Sequence, residues 1–194
     1  MKTNLAKFSL PLLIASSLVL SACSSNEGEA PVAAVEKAAE PSSPQPTAQR
    51  LTKEQVATTI EQVGSLGYNA ADDTLVVSVK VTNNGTASLP HAGANPVSLG
   101  VLQMVPAASG TPTRGQELRV QFESDVAPST NAELIAVIPA ALAVGNTVQL
   151  ELVQEGVAWF GYDFQQPTLT LGPFARCTDG KALCDADGKA IAAK

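Results

Sequence analysis

Histidine, tryptophan and cysteine are scarce in this chain. Its 194 residues hold one His, one Trp, two Tyr, five Phe and three Cys. Aromatics make up only 4% of the residues, so the interior has to be built from Val, Leu, Ile and Ala. The single histidine, His91, lies in a Leu-Pro-His-Ala-Gly loop and has no acidic, Ser or Cys partner in a triad-like order. G-x-S-x-G, Walker-type and H-E-x-x-H patterns are missing. Without an assembled acid, base or nucleophile, the chain is expected to be non-catalytic and to need no cofactor. Basic residues are few as well: 12 Lys and Arg face 18 Asp and Glu, for a net charge of −6. That balance argues against nucleic acid, where cationic side chains must neutralise phosphates. It also argues against electrostatic adhesion to anionic lipid. The apolar run from Phe8 to Leu20 falls short of the ~20 residues that span a bilayer.

What that run does have is the layout of an export signal. Lys2 and Lys7 precede it, and the small residues Ser21 and Ala22 follow it. The tetrapeptide Leu20-Ser21-Ala22-Cys23 resembles the lipobox of bacterial lipoproteins. The resemblance implies that residues 1–22 are cleaved and that Cys23 carries acyl chains as the new first residue. Several chains anchor stably because each buried CH₂ contributes ~0.8 kcal/mol. Cleavage removes two lysines and no acid, so the mature chain is more acidic than the whole and its membrane attachment falls to the lipid. Ser24 after the cysteine implies outer-membrane sorting in a diderm organism.

Residues 23–50 change composition. Glu27, Glu29, Glu36 and Glu40 alternate with alanines and with Pro31, Pro41, Pro44 and Pro46. Such a stretch buries too little apolar surface to offset its chain entropy, and it reads as a disordered, semi-extended tether. Residues 51–174 carry strand signals instead. In Thr74 to Thr82, Leu75, Val77, Val79 and Val81 point to one face and Ser78 and Lys80 to the other. Similar runs lie within 56–63, 96–105, 117–123, 132–138, 147–153 and 167–171, broken by turn signals such as Asn83-Asn84-Gly85. Seven short strands with no amphipathic helix predict an all-β antiparallel sandwich of immunoglobulin type, with a barrel as the alternative. No cysteine lies in the strands, which excludes an antibody-like domain.

Residues 175–194 form a tail. Cys177 and Cys184 remain once Cys23 takes lipid, and export to an oxidising compartment makes them a disulfide pair. Two thiolates are too few for zinc, and His91 is far away in sequence. Asp185, Asp187 and Gly188 look like the start of a calcium loop, but the closing Glu is missing, so an ordinary turn is expected and no metal.

The segments V-S-V-K-V-T-N at 77–83, P-V-S-L-G-V at 96–101, D-V-A-P at 125–128 and L-V-Q-E-G-V-A-W-F at 152–160 occur in order. Together they resemble a bacterial Ig-like module, including the carbohydrate-binding C-terminal domain of O-antigen ABC transporter ATPases. Ser129-Thr130 departs from the Gly-Glu such modules often carry. The resemblance implies the sandwich, and a glycan as ligand, without assigning binding residues. Four of the seven aromatics beyond residue 22 crowd into one stretch: Trp159, Phe160, Tyr162 and Phe164, with Asp163 among them. Trp159, Tyr162, Phe164 and Asp163 are therefore the candidate ligand surface, backed by Glu155, Gln165 and Gln166 as hydrogen-bonding groups. Packing is the competing role, with Trp159 expected as the core anchor and Tyr162 as the exposed ring. The chain thus reads as a membrane-anchored envelope lipoprotein with a non-catalytic module for a glycan. The alternative is a structural or assembly lipoprotein docking an envelope protein.

Overall fold

The structure is a computed structural model that describes residues 49–194. The expected export signal, Cys23 and the expected tether as far as residue 48 lie outside those residues. The strands in chain order are β1 (Thr58–Gln62), β2 (Gly67–Asn69), β3 (Thr74–Asn83), β4 (Val97–Val105), β5 (Thr113–Gln121) and β6 (Asn131–Pro139). After a short helix α1 (Ala140–Ala143) come β7 (Thr147–Gln154), β8 (Ala158–Trp159), helix α2 (Phe160–Phe164), β9 (Leu169–Leu171), β10 (Ala175–Arg176), β11 (Leu183–Cys184) and β12 (Ala192–Ala193).

The strands make an antiparallel sandwich of immunoglobulin type. In one sheet β3 is central, with β6 on one side and β1 and β2 sharing the other. In the second sheet β4 and β7 are central, β5 flanks β4, and β8 and β9 share the far edge of β7. The seven predicted strands are β1, β3, β4, β5, β6, β7 and β9. The chain passes between sheets at β3–β4, β5–β6 and β6–β7, as a Greek-key sandwich requires.

The core lies between the inner faces. Leu75, Val77, Val79 and Val81 of β3 are fully buried and meet Val97, Leu99 and Val101 of β4 and Val148, Leu150 and Leu152 of β7. Each such side chain contributes roughly 1.5–3 kcal/mol by leaving water. The period-two alternation that marked these strands in the sequence is the alternation between core and outer face.

Two polar side chains are buried because they tie the ends of the fold. Asn83 donates from Nδ2 to the carbonyls of Ala87 (2.9 Å) and Val126 (2.8 Å), clamping two loops. Gln154 accepts from the Leu51 N–H at 2.9 Å and donates to the Gln49 carbonyl at 2.6 Å, holding the chain where the folded part begins.

The tail beyond residue 174 belongs to this fold. A bond joins Cys177 and Cys184, as expected, and closes the β10–β11 hairpin. Leu183 is fully buried and Ile191 nearly so, and β12 adds to β2 as a parallel strand. Arg176 donates to the Tyr68 hydroxyl at 2.9 Å and to Asp73 at 2.6 Å, pinning β10 to the β2–β3 turn.

Candidate functional site

The outer face of the second sheet is where the aromatic cluster sits, and register decides which ring goes where. Val148, Leu150 and Leu152 face the core, so Gln149, Glu151 and Val153 face outward. After a turn at Gly156, which has φ of 68°, β8 runs back along β7 and places Trp159 opposite Val153. Partners across a ladder share a face, so Trp159 faces outward and its neighbour Phe160 inward.

The core assignment of Trp159 is therefore corrected. Phe160 is the fully buried anchor, and the Trp159 ring is half-buried on the opposite side of the sheet. The ring lies over Gly100 of β4, where a Cβ would collide with it. The Arg119 guanidinium stacks on it at 4.4 Å from the centroid, and Arg114 approaches at 5.1 Å. These cation–π contacts take the place of core packing.

Arg114 and Arg119 are five residues apart, which on a regular strand puts them on opposite faces. A bulge reconciles them. Leu102 pairs with Glu117, but Met104 pairs with Arg114, so β5 carries one extra residue between these positions. Arg119 opposite Gly100 and Arg114 opposite Met104 then share the outer face.

Beneath them lies Glu151, whose side chain has no exposed surface. Its Oε1 accepts from Arg114 Nη2 at 2.7 Å and from Gln149 Nε2 at 3.4 Å, and its Oε2 accepts from the Tyr162 N–H at 3.1 Å. Burial pushes the Glu151 carboxyl above the usual range, with the Arg114 charge and the backbone N–H groups of Tyr162 and Gly161 opposing it. Gly161 has to be glycine, since a Cβ there would collide with the carboxylate. A second ion pair joins Arg119 Nε to Glu155 at 2.7 Å, so Glu155 is committed to the sheet.

The remaining candidates separate. Tyr162 is 74% exposed, with Arg114 5.0 Å from its ring centroid. Asp163 accepts the Trp159 N–H at 2.7 Å and so holds the start of α2. Phe164 stacks on Phe160 at 5.3 Å between centroids, half-buried against the core, and is corrected from ligand surface to packing. Gln165 stands in the left-handed region, with φ of 59°, and its Oε1 accepts from Lys53 at 3.2 Å. The Gln166 Oε1 accepts the Thr58 N–H at 3.1 Å. Among the described residues, neither amide NH₂ group donates a hydrogen bond.

Beside Tyr162 an open cleft of about 510 Å³ runs between α2 and the bulged part of β5. Arg114, Gln149, Gln165, Gln166 and Thr168 give it polar groups, and Met104 and Tyr162 give it apolar surface. Its size falls within the range of small-ligand sites. Sequence reasoning missed Arg114, Gln149 and Glu151. Glu151 was open to detection, because an acid between the inward-facing Leu150 and Leu152 stands on the outer face of a central strand. Arg114 was not, because nothing in the residues announces the bulge.

A second polar group lies at the end of the sandwich where the folded chain begins. The loop histidine His91 does have an acidic partner, contrary to the sequence reading: its Nδ1 lies 2.7 Å from Asp125 Oδ1, and its N–H donates to the same oxygen at 2.9 Å. The pair holds the Asp125 carboxyl below its usual range and joins two loops. Among the described residues, no group of His, Cys, Asp and Glu forms a cluster that could hold a metal ion.

No family model matches this chain, and no curated protein does. Among solved structures, the GH3 β-glucosidase of Bifidobacterium adolescentis aligns with a TM-score of 0.27 and 11% identity, covering 58% of this chain and 17% of that one. The chain thus spans about a sixth of that enzyme's length, a likeness too slight to carry an argument about fold or activity.

Proposed function

We propose that this chain is an envelope lipoprotein, anchored through acylated Cys23, whose sandwich binds a glycan without catalysis. The observation that carries the reading is the exposed Tyr162 ring at the lip of a cleft lined by amide and guanidinium donors. A sugar ring presents an apolar face and a rim of hydroxyls. Tyr162 offers a surface for the first, and Arg114, Gln149, Gln165 and Gln166 offer hydrogen bonds for the second. The support under Tyr162 is rigid, because its backbone N–H is held by buried Glu151 and Arg114 packs beside its ring. A pre-ordered platform lowers the entropy cost of binding.

Export and anchoring rest on the lipobox resemblance, and the Cys177–Cys184 bond suits an oxidising compartment. The envelope face is the outer membrane where the organism has two. The open edge of β6 favours a second, compatible reading in which the lipoprotein also assembles with protein.

A glycan array probed with the full chain tests the main reading. The wild type should bind a subset of envelope-type glycans, and Tyr162→Ala should lose binding ~10-fold or more with an unchanged melting temperature, since an exposed ring adds little to stability. A wild type that binds nothing on the array, or a Tyr162→Ala protein that binds as well, removes the cleft from consideration.

A further inference from the structure

Strand β6 closes one edge of the first sheet and, among the described residues, pairs only with β3. Two bonds at its ends set the phase of the ladder. The Ala140 N–H donates to Asp73 O and the Asn83 N–H donates to Thr130 O, each at 2.9 Å. Alternation between these ends turns the even-numbered residues of β6 toward β3. The odd-numbered residues, Asn131 to Pro139, direct their N–H and C=O groups to the open edge. Pro139 has no N–H, so only the last position lacks a donor. The side chains of these same residues stand on the outer face, where Ile135 is 63% and Val137 54% exposed. Among the described residues this nine-residue edge has no further strand beside it, and two neighbouring aliphatic side chains on it stand in water.

We propose that this edge is the interface for a second copy of the chain, joined β6 to β6 in antiparallel fashion about a two-fold axis at Ile135. The register is the one that pairs the most outward groups. Ile135 is the midpoint of β6, so placing it opposite itself pairs Glu133 with Val137 of the other copy and Asn131 with Pro139. Every outward N–H and C=O then finds a partner except at the two prolines, which fall at the rim, and about eight hydrogen bonds form. Ile135 and Val137 of both copies make one apolar patch of four side chains on the outer face.

Charge permits this arrangement. The two Glu133 side chains sit four residues apart along the strands, ~13 Å, beyond the screening length of ~8 Å at physiological salt. Each Glu133 also stands beside Lys80 in the register of β3, and Lys80 in turn pairs with Glu61 at 2.9 Å. A register shifted by two residues, with Ile135 opposite Val137, keeps a two-fold axis but leaves Asn131 outside the ladder and forms about six bonds in place of eight. A two-fold contact of this kind is closed, so it stops at a dimer and does not run on into fibres.

Cross-linking of the full chain tests the proposal, with all variants in a Cys23→Ser background. Directly opposite residues in a hydrogen-bonded antiparallel pair have Cα atoms ~5.5 Å apart, a separation a disulfide bridges. Under mild oxidation, purified Ile135→Cys should give a band of doubled mass, and Val63→Cys, exposed on another edge, should give none. Adding Val137→Lys to Ile135→Cys should abolish the band while far-UV circular dichroism shows the sandwich still folded. Three outcomes overturn the proposal: a doubled band no stronger for Ile135→Cys than for Val63→Cys, a band that survives Val137→Lys, or, with Cys23 restored and oxidation repeated in cell envelopes, an Ile135→Cys adduct of another mass in place of the dimer.

Discussion

Phe160 and Trp159 are chain neighbours in opposite surroundings, and their substitutions should differ accordingly. Phe160 has no exposed surface, so Phe160→Ala opens a core cavity and should cost ~3–5 kcal/mol. The half-buried Trp159 packs on Gly100 and two guanidinium groups, so Trp159→Ala should cost less, ~1–2 kcal/mol, from lost cation–π contact and partial burial. Urea titrations of the two variants measure the difference. Equal losses would return Trp159 to the core. Glu151 makes a second prediction at this scale. Its folded-state carboxyl is raised above the ordinary value of 4.5, chiefly by burial. The stability it contributes is therefore fully present below 4.5 and is lost as pH rises through the raised value, where a charge has to be buried. Glu151→Gln should flatten the fall in unfolding free energy as pH rises above about 4.5. Asp73 and Asp125 act in the opposite sense and at lower pH. Both are held below 3.8, by Arg176 and by His91, and their contributions disappear only as pH drops through those depressed values. These contributions weaken as pH falls and that of Glu151 weakens as pH rises, so a loss of stability on raising the pH above 4.5 reports on Glu151. A variant as pH-sensitive there as the wild type would place the titration elsewhere.

Among the elements, the β10–β11 hairpin and β12 depend most on a single bond. Cys177 and Cys184 are seven residues apart, so the ring they close is small and its stabilisation modest, roughly 2–3 kcal/mol in the chain-entropy account. Leu183 and Ile191 add buried apolar surface, and the Arg176–Tyr68–Asp73 contacts add charge-assisted bonds. Reduction should therefore loosen the tail without unfolding the sandwich. Amide exchange should speed up from β10 to β12 and in the β2 residues that β12 covers, while the centres of β3, β4 and β7 keep their protection. Global unfolding on reduction would show that the tail is a keystone. The bulge in β5 has a different influence. It brings Arg114 beside Tyr162 and Glu151, so the cleft exists only because the ladder slips by one residue.

At the scale of the whole molecule, the proposed anchor and the sandwich are separable. Cys23→Ser should abolish incorporation of a clickable fatty acid in cells and leave the protein unprocessed or released. Equal label on the two proteins would remove the lipoprotein reading. The same variant should leave the cleft beside Tyr162 intact, because that cleft is built from β5, β7, α2 and the segment after it. Gln154 grips the chain at Gln49 and Leu51 at the end of β7, while the cleft opens beside Gln149 near the start of that strand. With five residues at ~3.3 Å each between them, the cleft stands back from the point where the tether joins.

The sandwich was legible in the residues themselves. Alternation in Thr74–Asn83 and Thr147–Gln154, the turns between strands, and the absence of an amphipathic helix all follow from local chemistry, since a strand shows its buried face every second residue. The Cys177–Cys184 pair was legible for the same reason, its partners being only a short loop apart. The site was legible as far as Tyr162 and the aromatic run, but the roles within it were not. Whether Trp159 or Phe160 enters the core depends on which β7 residue each ring faces, and that is a matter of pairing between strands. Arg114 and Arg119 share a face only through a bulge that no local pattern marks. His91 meets Asp125 across 34 residues of chain. The edge of β6 is open because, among the described residues, no strand other than β3 lies beside it. Periodicity belongs to a strand and can be read along it. Register, bulges and sheet edges belong to pairs of strands, and the packing of the whole chain decides them.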